Sequence, residues 1–184
     1  MKLAKSLLLS GLALTAVPAP AGVTVLGSTA ARACYEAAES GSPGGEGLDR
    51  CDEALLRESL TDHDTTATYV NRGILKLRLG RLDEAITDFD RAIARDPGEA
   101  DAYVNKGMAI LKRDRAWREA LALFDEGLRK RTRRPAIAYF GRAVANELGG
   151  NVKQAYFDYR QASQLEPKWR DPRTELARFT VRER

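Results

Sequence analysis

Histidine, cysteine and long apolar runs are what this sequence has least of. Its 184 residues hold one His and two Cys, too few donors of that kind for an ordinary zinc site, so no metal is expected. The glycine-rich stretch Gly41 to Gly47 has no Gly-Lys-Ser or Gly-Lys-Thr after it, which excludes a phosphate-binding loop. No uninterrupted apolar stretch reaches the roughly 20 residues that cross a bilayer; the longest candidate, Leu7 to Leu26, is broken by Pro18, Pro20 and Gly22. Charge of one sign is also missing. The formal balance is +4, and without Lys2 and Lys5 it is +2, far from the concentrated positive field of a nucleic-acid module.

Catalytic groupings are equally sparse. His63 stands between Asp62 and Asp64, but no nucleophile or metal partner accompanies it, and it reads as a solvated loop residue. Asp83, Glu84, Asp88 and Asp90 read as the polar face of an amphipathic helix rather than as an acid–base pair. No serine elbow is present. With no cofactor motif either, the chain is not expected to be an enzyme.

The first residues have the form of a secretory signal. Lys2 and Lys5 supply the positive start, Leu7 to Val17 an apolar core of 11 residues, and small residues follow. Two small-x-small sites are available, Ala19-Pro20-Ala21 and Ala31-Arg32-Ala33. The first lies just beyond the apolar core and is preferred, giving a signal over 1–21 and a mature chain from Gly22. An exported protein, periplasmic or secreted, with no stable membrane insertion after cleavage, is the expectation. Both cysteines, Cys34 and Cys51, then fall in the exported part, where an even count favours a disulfide. Two separate buried thiols are the alternative.

What the sequence does have is repetition. Tyr69-Val70-Asn71-Arg72-Gly73 returns 34 residues later as Tyr103-Val104-Asn105-Lys106-Gly107, and 36 later again as Tyr139-Phe140-Gly141-Arg142-Ala143. Each copy has a second half, in which Ala85, Ala120 and Ala155 are spaced by 35, as are Phe89, Phe124 and Tyr159. Apolar residues at helical spacing make each half a helix, so each copy is a helix pair. Gly80 and Gly149-Gly150 mark turns that need a positive φ, and Pro97 and Pro167 stop the second helices. The middle copy has one extra residue around Asp114-Arg115-Ala116-Trp117, and Thr132 in place of the proline, with Pro135 three further on.

From Thr66 to about Lys168 this pattern of aromatic, small residue, alanine, aromatic, alanine and proline resembles the tetratricopeptide-repeat (TPR) family, here of a bacterial exported type. The resemblance implies an all-α, right-handed solenoid of antiparallel helix pairs, with three repeats over 66–99, 100–135 and 136–168. Leu48 to Leu55 resembles a further second helix, with Cys51 where Phe89 and Phe124 sit, and Tyr35 to Glu39 its shortened partner. A degenerate pair within 22–65, pinned by the disulfide, is therefore expected, and a capping helix over 169–184. That helix would start at Asp171-Pro172 and turn Leu176 and Phe179 inward. Val23-Thr24-Val25 is β-prone but too short to assign.

In the TPR family the first helices line a concave groove. By that resemblance Val70, Asn71, Ile74 and Arg78 would face a ligand from the first repeat. Val104, Asn105, Met108 and Lys112 would do so from the second, and Phe140 and Val144 from the third. Asn71 and Asn105 have a second reading, as hydrogen-bond partners of the neighbouring repeat's backbone. The basic run Arg129-Lys130-Arg131-Thr132-Arg133-Arg134 reads as the cationic close of a helix, with an acidic partner or lipid surface as the alternative. The implied function is an adaptor binding a protein or peptide in its groove. The competing one is a structural subunit of an envelope complex, gripping through its convex face or ends.

Overall fold

The computed structural model describes residues 2–5, 22–25, 29–41 and 45–182. Among them the chain forms α1 (Thr29–Ser40), α2 (Gly45–Arg57), α3 (Asp62–Arg78), α4 (Leu82–Arg95) and α5 (Ala100–Asp114). These are followed by α6 (Trp117–Arg129), α7 (Pro135–Leu148), α8 (Val152–Leu165) and α9 (Arg170–Leu176). Two short strands, β1 (Lys2–Lys5) and β2 (Phe179–Arg182), pair antiparallel, Lys2 opposite Arg182. Consecutive helices pack as pairs, α1 with α2 through α7 with α8. Successive first helices also touch directly, α1 on α3, α3 on α5 and α5 on α7, the arrangement of a helical solenoid.

The turns follow from backbone chemistry. Gly80 and Gly150 take φ of 77° and 79°, and the bonds Arg81 N to Lys76 O and Asn151 N to Asn146 O close each first helix. In the middle copy, where no glycine is available, Arg115 takes the left-handed position at φ 58°. Its second helix ends the same way, with Arg131 at φ 62° and Thr132 N donating to Gly127 O. Asp96 and Glu166, each before a proline, leave the helical region and end α4 and α8. Pro135 opens α7.

The core is built of small residues met by rings. Ala85, Ala120 and Ala155 are fully buried. Phe89 lies against Gly73, where a Cβ would come within 2.6 Å of the ring. Phe124 is wedged between Gly107 and Gly141, at 2.9 and 2.3 Å from the same hypothetical atom. That explains why glycine stands at 141, where the other copies have asparagine.

Both ends differ from the expectation. The first helix of the amino-terminal pair is not cut short: α1 runs 12 residues. Two of its free amide ends are satisfied from just beyond the other helix of the pair, since Ala30 N and Ala31 N donate to the Glu58 carboxylate. Cys34 and Cys51 are joined, tying α1 to α2. At the other end α9 begins at Arg170 rather than at Asp171, because the Asp171 carboxylate accepts the Trp169 indole N–H instead of capping the helix. The helix stops at Leu176, and Phe179 lies in β2, its ring against Tyr156 and Tyr159 of α8. Lys2 to Lys5, read as the start of a leader, form β1; the apolar core of that leader and the Ala19-Pro20-Ala21 site lie outside the described residues. The Ala31-Arg32-Ala33 site lies inside α1.

Candidate functional site

Against α1 and α3 lies a stretch of the chain itself with neither helix nor strand, Gly22–Val25. Asn71, in the middle of α3, holds it through both backbone groups of one residue. Val23 N donates to Asn71 Oδ1 at 2.6 Å, and Asn71 Nδ2 donates to Val23 O at 2.8 Å. Gly22 N donates to Glu39 Oε1 of α1 at 2.5 Å. Val23 and Val25 are buried. A side-chain amide suits this task, because it offers a donor and an acceptor side by side and so imitates a neighbouring strand. The β-prone character of Val23-Thr24-Val25 is thus used on a helical face rather than in a sheet.

Eight of the ten residues expected to face a ligand are buried. Val70, Ile74, Val104, Met108, Phe140 and Val144 are all buried in the core. Phe140 packs its ring on Tyr159 and Trp169. They do share one helical face per copy, but that face is covered. Asn71 and Asn105 are buried too. Asn71 grips residue 23, whereas Asn105 turns back to its own helix and donates to Asp101 O at 2.9 Å; among the described residues neither bonds the neighbouring repeat. Arg78 and Lys112 each reach back one repeat to a carbonyl near the end of the preceding first helix. Arg78 Nη1 lies 3.5 Å from Ala37 O and Lys112 Nζ 3.3 Å from Leu77 O, where the helix dipole favours a cation. Of the ten residues, Lys112 is exposed and Arg78 half-buried.

Asp88 corrects a further expectation, since it is no part of a solvated face. It is completely buried and accepts from Arg72 through two bonds, 2.8 and 2.6 Å, and from Lys76 at 2.7 Å. The third copy repeats this with Asp158, Arg142 and Asn146. In both, the same arginine crosses to the previous repeat, Arg72 to Asp52 at 2.6 Å and Arg142 to Asp125 at 2.8 Å. The middle copy keeps the crossing pair, Lys106 to Asp90 at 2.7 Å, but has Leu123 in place of the buried aspartate and Ile110 in place of the second donor. Burial alone would lower the Arg142 guanidinium, yet its bonds to Asp158 and Asp125 more than offset that and raise it. This ladder joins repeat to repeat. Its signal was in the sequence, as Asp-Phe-Asp at 88–90 against Leu-Phe-Asp at 123–125 with Arg or Lys to match.

The basic run closes a helix and is largely paired. Arg129 and Lys130 both bond Glu126, and the Arg129 hydrogen bonds hold that carboxyl down at about 2. Arg133 Nε donates to the buried Asp101 at 2.9 Å, and Thr132 Oγ1 bonds the same carboxylate. Tyr159, buried against Glu147 and bonded to it at 3.0 Å, has its phenol pushed well above the usual range, chiefly by desolvation. His63 lies in the first turn of α3 rather than in a loop, its side chain largely solvent-exposed. Among the described residues no group of His, Cys, Asp and Glu could hold a metal ion, and no helix is long and apolar enough to cross a membrane.

Comparison with known proteins gives the fold a second footing. A family model, Tetratricopeptide repeat, matches residues 70–116 and 111–166, together more than half of the chain. Among solved structures, "MamA RS-1 ArsTM double mutant" matches with a TM-score of 0.62 at 21% identity, over 81% of this chain and 82% of that one. No curated protein matches the sequence.

Proposed function

The chain belongs to the tetratricopeptide-repeat family, a fold that serves as a protein-interaction scaffold, and from that premise we propose that it is an exported adaptor that binds an extended peptide on the face of its first helices. The observation that carries this reading is the grip of Asn71 on Val23. Both contacts are to backbone, so any extended peptide offers the same groups, and affinity would come from main-chain bonds as in strand addition. A partner therefore competes with the chain's own Gly22–Val25 for Asn71. Arg78 and Lys112 add positive charge beside that path. Export is supported by the Cys34–Cys51 bond, since such bonds persist in oxidising compartments.

Capture from envelope extract tests this, with the processed protein as bait and a synthetic peptide of residues 22–29 as competitor. The peptide in excess should displace the captured partner, and Asn71→Ala should weaken capture more than tenfold, about 1.4 kcal/mol, with an intact helical spectrum. The envelope-subunit alternative has its own observation. Leu56 of α2, 82% exposed, and Phe157 and Leu165 of α8 are exposed apolar residues on second helices. If Asn71→Ala and the competitor leave capture untouched while Leu56→Ser with Phe157→Ser abolishes it, the outer surface binds and the first-helix reading falls.

A further inference from the structure

Gly22 sits where α1 and α3 meet, and three side chains converge on it. Its nitrogen donates to Glu39 Oε1 at 2.5 Å. A Cβ built on it would lie 3.0 Å from Asn71 Oδ1, 3.0 Å from Tyr35 Cδ2 and 3.3 Å from Glu39 Oε1, so any larger residue must push a neighbour aside. The next residue, Val23, is buried and held by Asn71 through both backbone groups. From α1 the charged and titratable groups facing this point are Glu39 and Tyr35; from α3 it is Arg78, whose guanidinium feels the Glu39 charge. The Glu39 carboxylate thus has a cation nearby in Arg78 and accepts from a backbone amide at 2.5 Å. It is the complement of an ammonium.

We propose that Gly22 becomes the amino terminus of the exported protein and that its ammonium docks on Glu39, anchoring residues 22–25 across α1 and α3. This rests on the export reading above. The step is hydrolysis of the Ala21–Gly22 peptide bond by a signal-removing endopeptidase acting after Ala19-Pro20-Ala21. The hydroxyl of water goes to the Ala21 carbonyl carbon, the nitrogen of Gly22 takes the proton, and the amine takes one more from solvent. One N–H donor becomes three with a full positive charge, at a position where a side chain would crowd Asn71, Tyr35 and Glu39. The docked terminus then acts as an intramolecular competitor for Asn71, which a partner peptide has to displace.

The full precursor, exported in cells and isolated from the envelope fraction, tests this directly. Intact mass gives the first residue, and the pH dependence of acylation of the terminal amine gives its titration. The mass should show Gly22 first, with an amine titrating about half a unit above the ordinary 7.7–8.0. Glu39→Gln should return it to that range. Glu36→Gln, a change at an exposed carboxylate on the same helix that pairs with Arg32, should not. Exchange of the Val23 amide should quicken at least threefold in Glu39→Gln and in Gly22→Ala. A mature chain starting anywhere other than Gly22 overturns the export site and the docking together. A Gly22 start whose amine titrates ordinarily, with Val23 exchanging alike in the native protein and in Glu39→Gln, overturns the docking alone.

Discussion

Asp88→Leu should be among the most damaging single changes in this chain. Asp88 is fully buried, and the side chains of Arg72 and Lys76 that bond it are only 11% and 12% exposed. Removing one partner of a buried ion pair costs about 3–5 kcal/mol, because the remaining charge is left desolvated. Two residual contacts soften the loss: Arg72 keeps Asp52 at 2.6 Å, and Lys76 keeps Glu84 at 3.9 Å. The lower end, about 3 kcal/mol, is therefore expected. For a chain of this size 1 kcal/mol moves the melting temperature by about 2–4 °C, so a fall of about 6–12 °C follows.

The middle copy supplies the compensating experiment. Converting the first copy to its solution requires Arg72→Lys, Lys76→Ile and Asp88→Leu together, after Lys106, Ile110 and Leu123. The new lysine can still reach Asp52, as Lys106 reaches Asp90, and no buried charge is left alone. Replacing a buried ionic cluster by apolar groups of similar volume is often neutral or stabilising, so the triple variant should melt within about 4 °C of the native protein. Thermal and urea unfolding followed by circular dichroism at 222 nm reads both. A single variant melting within 2 °C of native (a shift of about 1 kcal/mol or less), or a triple variant no better than the single one, would refute the reading of Asp88 as a buried charge anchor.

Three further outcomes are expected. Gly141→Ala should cost about 1–3 kcal/mol in urea unfolding, because its Cβ would lie 2.3 Å from the Phe124 ring, and the loss should shrink when Phe124→Leu is added. Reducing the Cys34–Cys51 bond, which closes a loop of 17 residues, should destabilise by about 3 kcal/mol in the same assay with and without reductant. Glu126 has a folded pKa depressed to about 2 by Arg129 and Lys130, so its contribution is present above the ordinary carboxylate value near 4.5 and is lost as pH falls toward about 2. The stability difference between the native protein and Glu126→Gln should accordingly narrow across that window and be constant above it, as read by urea unfolding at stepped pH.

Local order was legible in the sequence because local order is where its signals lie. The spacing of Ala85, Ala120 and Ala155, and of their rings, sets helix pairs without reference to anything distant. Gly80 and Gly150 announce positive φ, and Pro97 and Pro167 announce helix ends. With only two cysteines there was one possible intrachain pair, and the chain makes it. Which face of a first helix meets solvent was not legible. Periodicity shows that Val70 and Ile74 share a face, but not whether that face is open or covered; both are fully buried. For the same reason the burial of Asp88 escaped a reading of α4 alone, since its partners Arg72 and Lys76 belong to α3. Glu58 capping α1 from beyond the end of α2, Asn71 holding Val23 from 48 residues away, and β1 pairing with β2 are contacts between distant parts of the chain. Such contacts depend on how the helices stack, and only the tertiary structure decides that.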